Sequence, residues 1–192
     1  MGLIRNLLAL IGLVVVLGAG TAWFKAKENM VGFDPNAFNV YKELAENIIA
    51  TKNAAEATVW KFPVKEGLTA EEVEETMKFV ANEHNMSAVG ELPLYKDVEA
   101  KSGKPYRFVK IYMFCNSLTA ARMLDYSDAF SAYLPCRVTL LEDPQGKLWL
   151  YTLNMDLMIH GGASLPTELK EESVSVKEKI LDIMKRGASG EF

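Results

Sequence analysis

Tyr133-Leu134-Pro135-Cys136-Arg137-Val138-Thr139-Leu140-Leu141-Glu142-Asp143-Pro144-Gln145-Gly146-Lys147-Leu148-Trp149-Leu150-Tyr151-Thr152-Leu153 holds two runs of strand-forming residues, Val138–Glu142 and Lys147–Leu153. They are joined by Asp143-Pro144-Gln145-Gly146, whose Pro at the second and Gly at the fourth position fit a type I turn. A turn this short joins only antiparallel neighbours, so the segment predicts a hairpin within an antiparallel sheet. Just before its first strand stands Cys136, one of two cysteines in the chain. The other, Cys115, follows an earlier apolar run that ends at Phe114.

Upstream, Ala88–Tyr95 and Tyr106–Phe114 predict two further strands joined through Lys101-Ser102-Gly103-Lys104-Pro105. Phe108, Ile111 and Met113 in the second lack clean alternation, as in a strand covered on both faces. Asn116 or Ser117 is placed to cap a short helix through Leu124. Val59–Val64 reads as a strand, with Pro63 marking an edge. Thr69-Ala70-Glu71-Glu72 is a capping box that opens a helix with Val73, Met77, Val80 and Ala81 inward, ending near His84-Asn85. Its early glutamates, Glu71, Glu72, Glu74 and Glu75, suit the positive end of the helix dipole. A last helix is predicted from Thr167 to Lys185, aligning Val176, Ile180 and Ile183, with Gly187 ending it. No internal repeat or low-complexity tract interrupts the order.

The chain has 192 residues, enough for one domain and an appendage, and a net charge of −4. That balance argues against nucleic acid as a partner, which requires a basic stripe. The appendage comes first. No charge lies between Leu7 and Gly20, and Leu3–Phe24 is broken only by Arg5. Such a run approaches the ~20 residues of a spanning helix. Trp23 and Phe24, then Lys25 and Lys27, fall where an interfacial belt and its charged flank belong. Gly18-Ala19-Gly20-Thr21-Ala22 also fits the cleavage site of a signal peptide, so residues 1–24 are a membrane anchor or a signal segment. The positive charges on the two flanks nearly balance. A short N-terminal tail that stays in the cytoplasm would put the rest in the periplasm, on an inner-membrane anchor. Residues 25–58 read as a helical connector with Tyr41, Leu44, Ala45 and Ile48 as its packing stripe, residues 59–187 as the domain, and 188–192 as a tail.

The strand-end Cys115-Asn116, the Leu134-Pro135-Cys136-Arg137-Val138 run, the glutamate-rich first helix and the acidic hairpin Leu141-Glu142-Asp143 with Gly146 together resemble the family of domain of unknown function 302. The resemblance spans roughly residues 59–186. It implies an α+β fold in the order β-α-β-β-(α)-β-β-α, an antiparallel sheet with helices on one face, of TATA-binding-protein-like type and inclined to form homodimers. It implies no reaction. Family members often carry Pro two residues after the first cysteine, where this chain has Ser117. In an antiparallel sheet, a strand ending at Cys115 and one beginning near Cys136 bring both thiols to the same end; a parallel crossover would separate them.

Cys115 and Cys136 admit three readings. They can be small core residues, since free cysteine is among the most buried residue types. They can form a disulfide across the sheet end, which an exporting route would favour. Or they can form a redox or soft-metal pair, although their spacing is far from Cys-x-x-Cys and from zinc patterns. His160, in Met155-Asp156-Leu157-Met158-Ile159-His160, adds imidazole and thioethers of the kind that copper or haem iron takes. Nine methionines make such neighbours easy to find by chance. Arg137 beside Cys136 should face water by strand alternation. Asp125, Asp128 and Glu142 make no acid–base pair, and no phosphate loop, nucleophile elbow or metalloprotease helix is present. The expected function is a membrane-anchored, extracytoplasmic, non-enzymatic binding or accessory domain with an unspecified small ligand or membrane-protein partner. The alternative is a redox or metal- or haem-handling protein using Cys115, Cys136 and His160.

Overall fold

A computed structural model describes residues 2–29 and 31–192. Five strands, β1 (Val59–Pro63), β2 (Ser87–Leu92), β3 (Val109–Cys115), β4 (Cys136–Glu142) and β5 (Leu148–Leu153), form one antiparallel sheet in the order β1-β5-β4-β3-β2. The β4–β5 hairpin turns where the sequence places it. Gly146 N–H donates to Asp143 O at 3.0 Å, and the Asp143 carboxylate accepts from the Gln145 and Lys147 amides and from Trp149 Nε1. The β1 strand carrying Pro63 lies at an edge, where a missing N–H costs no ladder bond.

Helices cover one face. The Thr69 capping box opens α4, the helix Ala70–Glu83, and the long helix that ends the chain runs Thr167–Ser189 beside it. Val73, Met77, Val80 and Ala81 from the first, with Val176, Ile180, Ile183 and Met184 from the second, close over Tyr112, Phe114, Val138, Leu140 and Leu150 of the sheet. Fully burying side chains of this size is worth roughly 1.5–3 kcal/mol each, so this layer carries the stability of the domain. His84, capping α4, meets Asp182 at 2.8 Å and ties the helix ends together.

A polar cluster sits inside the same layer. Glu74 accepts from Lys110 Nζ at 2.7 Å and from the Tyr112 hydroxyl at 2.8 Å, and Lys78 bridges Glu74 and Glu91. Burial by itself would raise the Glu74 carboxyl, but bonds from Lys110, Lys78 and Tyr112 hold it down at about 2. Buried charge is tolerated here because each member has a partner.

Several sequence expectations need correction. The segment predicted as strand up to Tyr95 and loop after it ends its strand at Leu92 and forms the helix α5, Leu94–Ser102. Pro93 stops the ladder, and Gly103, at φ 67°, ends the helix in a left-handed cap. The β3 strand is not covered equally on both faces: Tyr112 and Phe114 are buried under the helices, whereas Ile111 and Met113 are only half-buried on the other face. The last helix does not end at Gly187. It continues to Ser189 and caps at Gly190, φ 73°, while Gly187 is buried inside it. Beyond the predicted domain edge, Ala188 is buried and the Phe192 ring meets Phe79 edge to face.

Before the sheet come α1 (Gly2–Asn29), α2 (Ala37–Thr51) and α3 (Ala54–Ala57). Within α1, Leu8–Lys25 is long and apolar enough to cross a membrane, the single such stretch among the described residues. Of the predicted stripe only Leu44 is partly covered: the packed face of α2 runs through buried Ala37 and Val40 to Leu44, while Tyr41, Ala45 and Ile48 are exposed. Its anchors are polar. Tyr41 donates to Gly161 O at 2.6 Å, Asp34 N–H donates to Gly162 O at 2.9 Å, and Phe33 forms a β-bridge with Ala163.

Candidate functional site

The sheet end where β3 finishes and β4 begins carries both cysteines. Phe114 and Cys136 are paired across the ladder, and Cys115 is the next residue along β3. Antiparallel pairing thus sets the two thiols on neighbouring strands at one end, as the sequence implied. From Cys115 the chain turns at once into α6, Ser117–Tyr126, because the Asn116 side chain accepts from the Thr119 amide and caps it. A 3-10 helix, Asp128–Tyr133, and a cis Leu134–Pro135 bond return it to Cys136. After β5 the chain forms the short helix α7, Asp156–His160. The final helix, Thr167–Ser189, is numbered α8.

These elements line a partly open cavity of about 50 Å³. Cys115 and Cys136 line it from the strands, Met123 from α6, Phe130 and Tyr133 from the 3-10 helix, Met155 and Met158 from the α7 segment, and Ser173 and Val176 from α8. Three methionines and both cysteines therefore line one space. A single water needs roughly 10–15 Å³ on this measure, so the cavity takes a few waters or one small group. It is too small for a haem without opening.

Both cysteines are free thiols. Burial, and then neighbouring Cys115, pushes the Cys136 thiol up to about 11. Arg137 counteracts this weakly, being exposed at the cavity edge as strand alternation predicts. Cys136 is therefore protonated at neutral pH and a poor nucleophile, since the thiolate is the reactive form. No carboxylate or imidazole lies among the described residues of the lining, so no general base is at hand. The polar fittings are structural: Ser173 Oγ donates to Leu169 O at 2.7 Å and contacts Met123 Sδ at 3.2 Å, and Thr152 Oγ1 donates to Arg137 O at 2.7 Å.

His160 does not line this cavity. It is buried at the end of α7, with Nδ1 3.3 Å from Asp34 Oδ1 and Nε2 3.9 Å from Asp156 Oδ1. Asp34 also binds Lys170 Nζ and accepts from the Asn36 amide at 2.9 Å, and Lys177 pairs with Asp156 at 2.8 Å. Burial alone would raise the Asp34 carboxyl, but Lys170, the Asn36 amide and His160 hold it below the usual carboxylate range. This network ties the segment before α2 to α7 and α8. Sequence reading misses Met123, which reaches the site from a separate helix, and groups Met155 and Met158 with His160, which lies outside the lining. Their signal was the Met-x-x-Met spacing across a helix start.

Residues 60–187 match the family described as Domain of unknown function DUF302. The crystal structure of an uncharacterized conserved protein DUF302 from Bacillus stearothermophilus is similar, at a TM-score of 0.56 and 15% identity over 67% of this chain and 97% of that one. At that identity the likeness concerns the fold. No curated protein matches the chain.

Proposed function

The chain belongs to the DUF302 family, and we propose that this member is a membrane-anchored, extracytoplasmic, non-enzymatic binding domain whose small ligand occupies the cavity at the sheet end. The observation that carries the reading is the cavity itself: partly open, mostly apolar, with a few convergent polar and sulfur-bearing residues. A protonated Cys136 without a neighbouring base supports binding over catalysis. The Leu8–Lys25 stretch, with exposed Trp23 and Phe24 near its C-terminal end, supports an inner-membrane anchor. The half-buried sheet face of Ile111, Met113, Leu141, Trp149 and Tyr151 supports pairing of two copies. Metal handling by Cys115 and Cys136 is the second reading, favoured by their shared cavity.

The cavity is tested by methionine-methyl NMR of the full chain in detergent under xenon, which enters dry apolar cavities. The Met123, Met155 and Met158 signals are expected to shift, while Met77 and Met184 in the main core hold still. Unmoved signals at all three, or equal shifts at Met77 and Met184, would count against a binding cavity. Proteolysis of cells whose outer layer has been opened reads the placement: cleavage within residues 31–192 supports it, and full protection refutes it.

A further inference from the structure

We propose that the sheet-end cavity is a binding site for a soft monovalent metal ion, Cu(I), held by the Cys115 and Cys136 sulfurs with thioether support from Met123, Met155 and Met158. The inference rests on the cavity being a ligand site and names its ligand.

Donor chemistry selects the ion. Thiolate and thioether sulfur are the soft ligands that favour Cu(I), whereas Mg²⁺, Ca²⁺ and Mn²⁺ need oxygen ligands. Zn²⁺ in a closed site takes four thiolate, imidazole or carboxylate ligands. Among the described residues the lining holds two thiols and neither of the other groups. The other polar side chains of the lining are amides and hydroxyls, Asn116, Asn154, Thr119, Thr152 and Ser173, hard donors that a soft ion does not prefer, which leaves sulfur as the matched donor set. Size agrees: about 50 Å³ suits an ion and not a large cofactor. Methionine, with three rotatable bonds, can adjust its sulfur to such an ion.

Binding couples to protons, because thiols must ionise to become ligands. Two neutral thiols and Cu⁺ give a bis-thiolate complex of charge −1 and two released protons. No electron is transferred; copper enters and stays as Cu(I).

The test uses the full chain in detergent, anaerobic and reduced, titrated with Cu(I) against a chromophoric Cu(I) chelator, with Zn²⁺ as the comparison metal. The chain is expected to withhold one Cu(I) and to leave Zn²⁺ in solution. Affinity should weaken on acidification, because protons compete with Cu(I) for cysteine sulfur. Cys115→Ser and Cys136→Ser should each lose at least tenfold. Met158→Leu, which conserves volume and keeps the fold if a cysteine variant does not, should lose several-fold. Surrender of all Cu(I) to the chelator, equal retention of Zn²⁺, or parent-like affinity in Cys136→Ser would overturn the proposal. Xenon shifts retained by a chain that fails to hold Cu(I) remove the metal assignment and leave the cavity reading standing; loss of both removes both.

Discussion

Replacing Asp34 with alanine is expected to lower unfolding stability by about 3 kcal/mol and to loosen α2 from the domain. The Asp34 side chain is fully buried and serves two cationic or potentially cationic partners, Lys170 and His160. Removing one member of a buried ion pair costs about 3–5 kcal/mol, because the other is left charged without compensation. Lys170 keeps 28% of its side chain in solvent and can partly rehydrate, which sets the lower end of that range. Asp34→Asn should cost less, since the amide oxygen can still accept from Asn36 N–H and Lys170. Denaturant unfolding of the full chain in detergent measures the loss, and hydrogen exchange locates it: the amides of α2 should lose protection before those of β3 and β4. A loss under ~1 kcal/mol would mean that the network does not hold the segment in place.

Gly187→Leu is expected to be the most damaging single change in the α4–α8 interface, at about 3 kcal/mol or more. A Cβ at this position would stand 2.6 Å from Met77 Cγ and 3.5 Å from Leu150 Cδ1. Met77 is fully buried, and its Cγ is close to the backbone, so it cannot swing aside. Overpacking a tight core costs roughly 1–3 kcal/mol, and the leucine adds three further carbons. Gly187→Ala should be far milder, because the clash is offset by a helix-propensity gain of ~1 kcal/mol. Shortening the obstacle supplies the control. In a Met77→Ala background, Gly187→Ala should turn from costly to stabilising, whereas additive effects of the two changes would show that they do not meet.

How much of this was legible beforehand varied with the physics behind each element. The β4–β5 hairpin and the Thr69 capping box are local chemistry, readable from four residues each, and the structure has both. The co-location of Cys115 and Cys136 followed from antiparallel pairing alone. The α5 helix was not legible because it buries no residue and has no side-chain cap, so its sequence carries little periodic signal. Gly187 was misread for a reason outside its own segment: glycine is the usual helix terminator, and only Met77, 110 positions away, shows that its missing side chain makes room for a neighbour. The phase of α2 was likewise decided at a distance, by Tyr41 and Asp34 reaching the loop after α7. The cavity depended on three stretches of chain, residues 115–137, 152–158 and 173–176, meeting at one sheet end, and no local pattern encodes that.

The central claim is that the two thiols share one cavity, and a dithiol-bridging reagent reads it most directly. Phenylarsine oxide condenses with two neighbouring thiols, forming two As–S bonds and releasing water. Intact-mass measurement of the reduced full chain in detergent is predicted to show one phenylarsenic group per chain, with both cysteines then closed to alkylation, and no stable adduct in Cys115→Ser or Cys136→Ser. Two independently alkylated thiols with no arsenical retained by the parent would contradict the account.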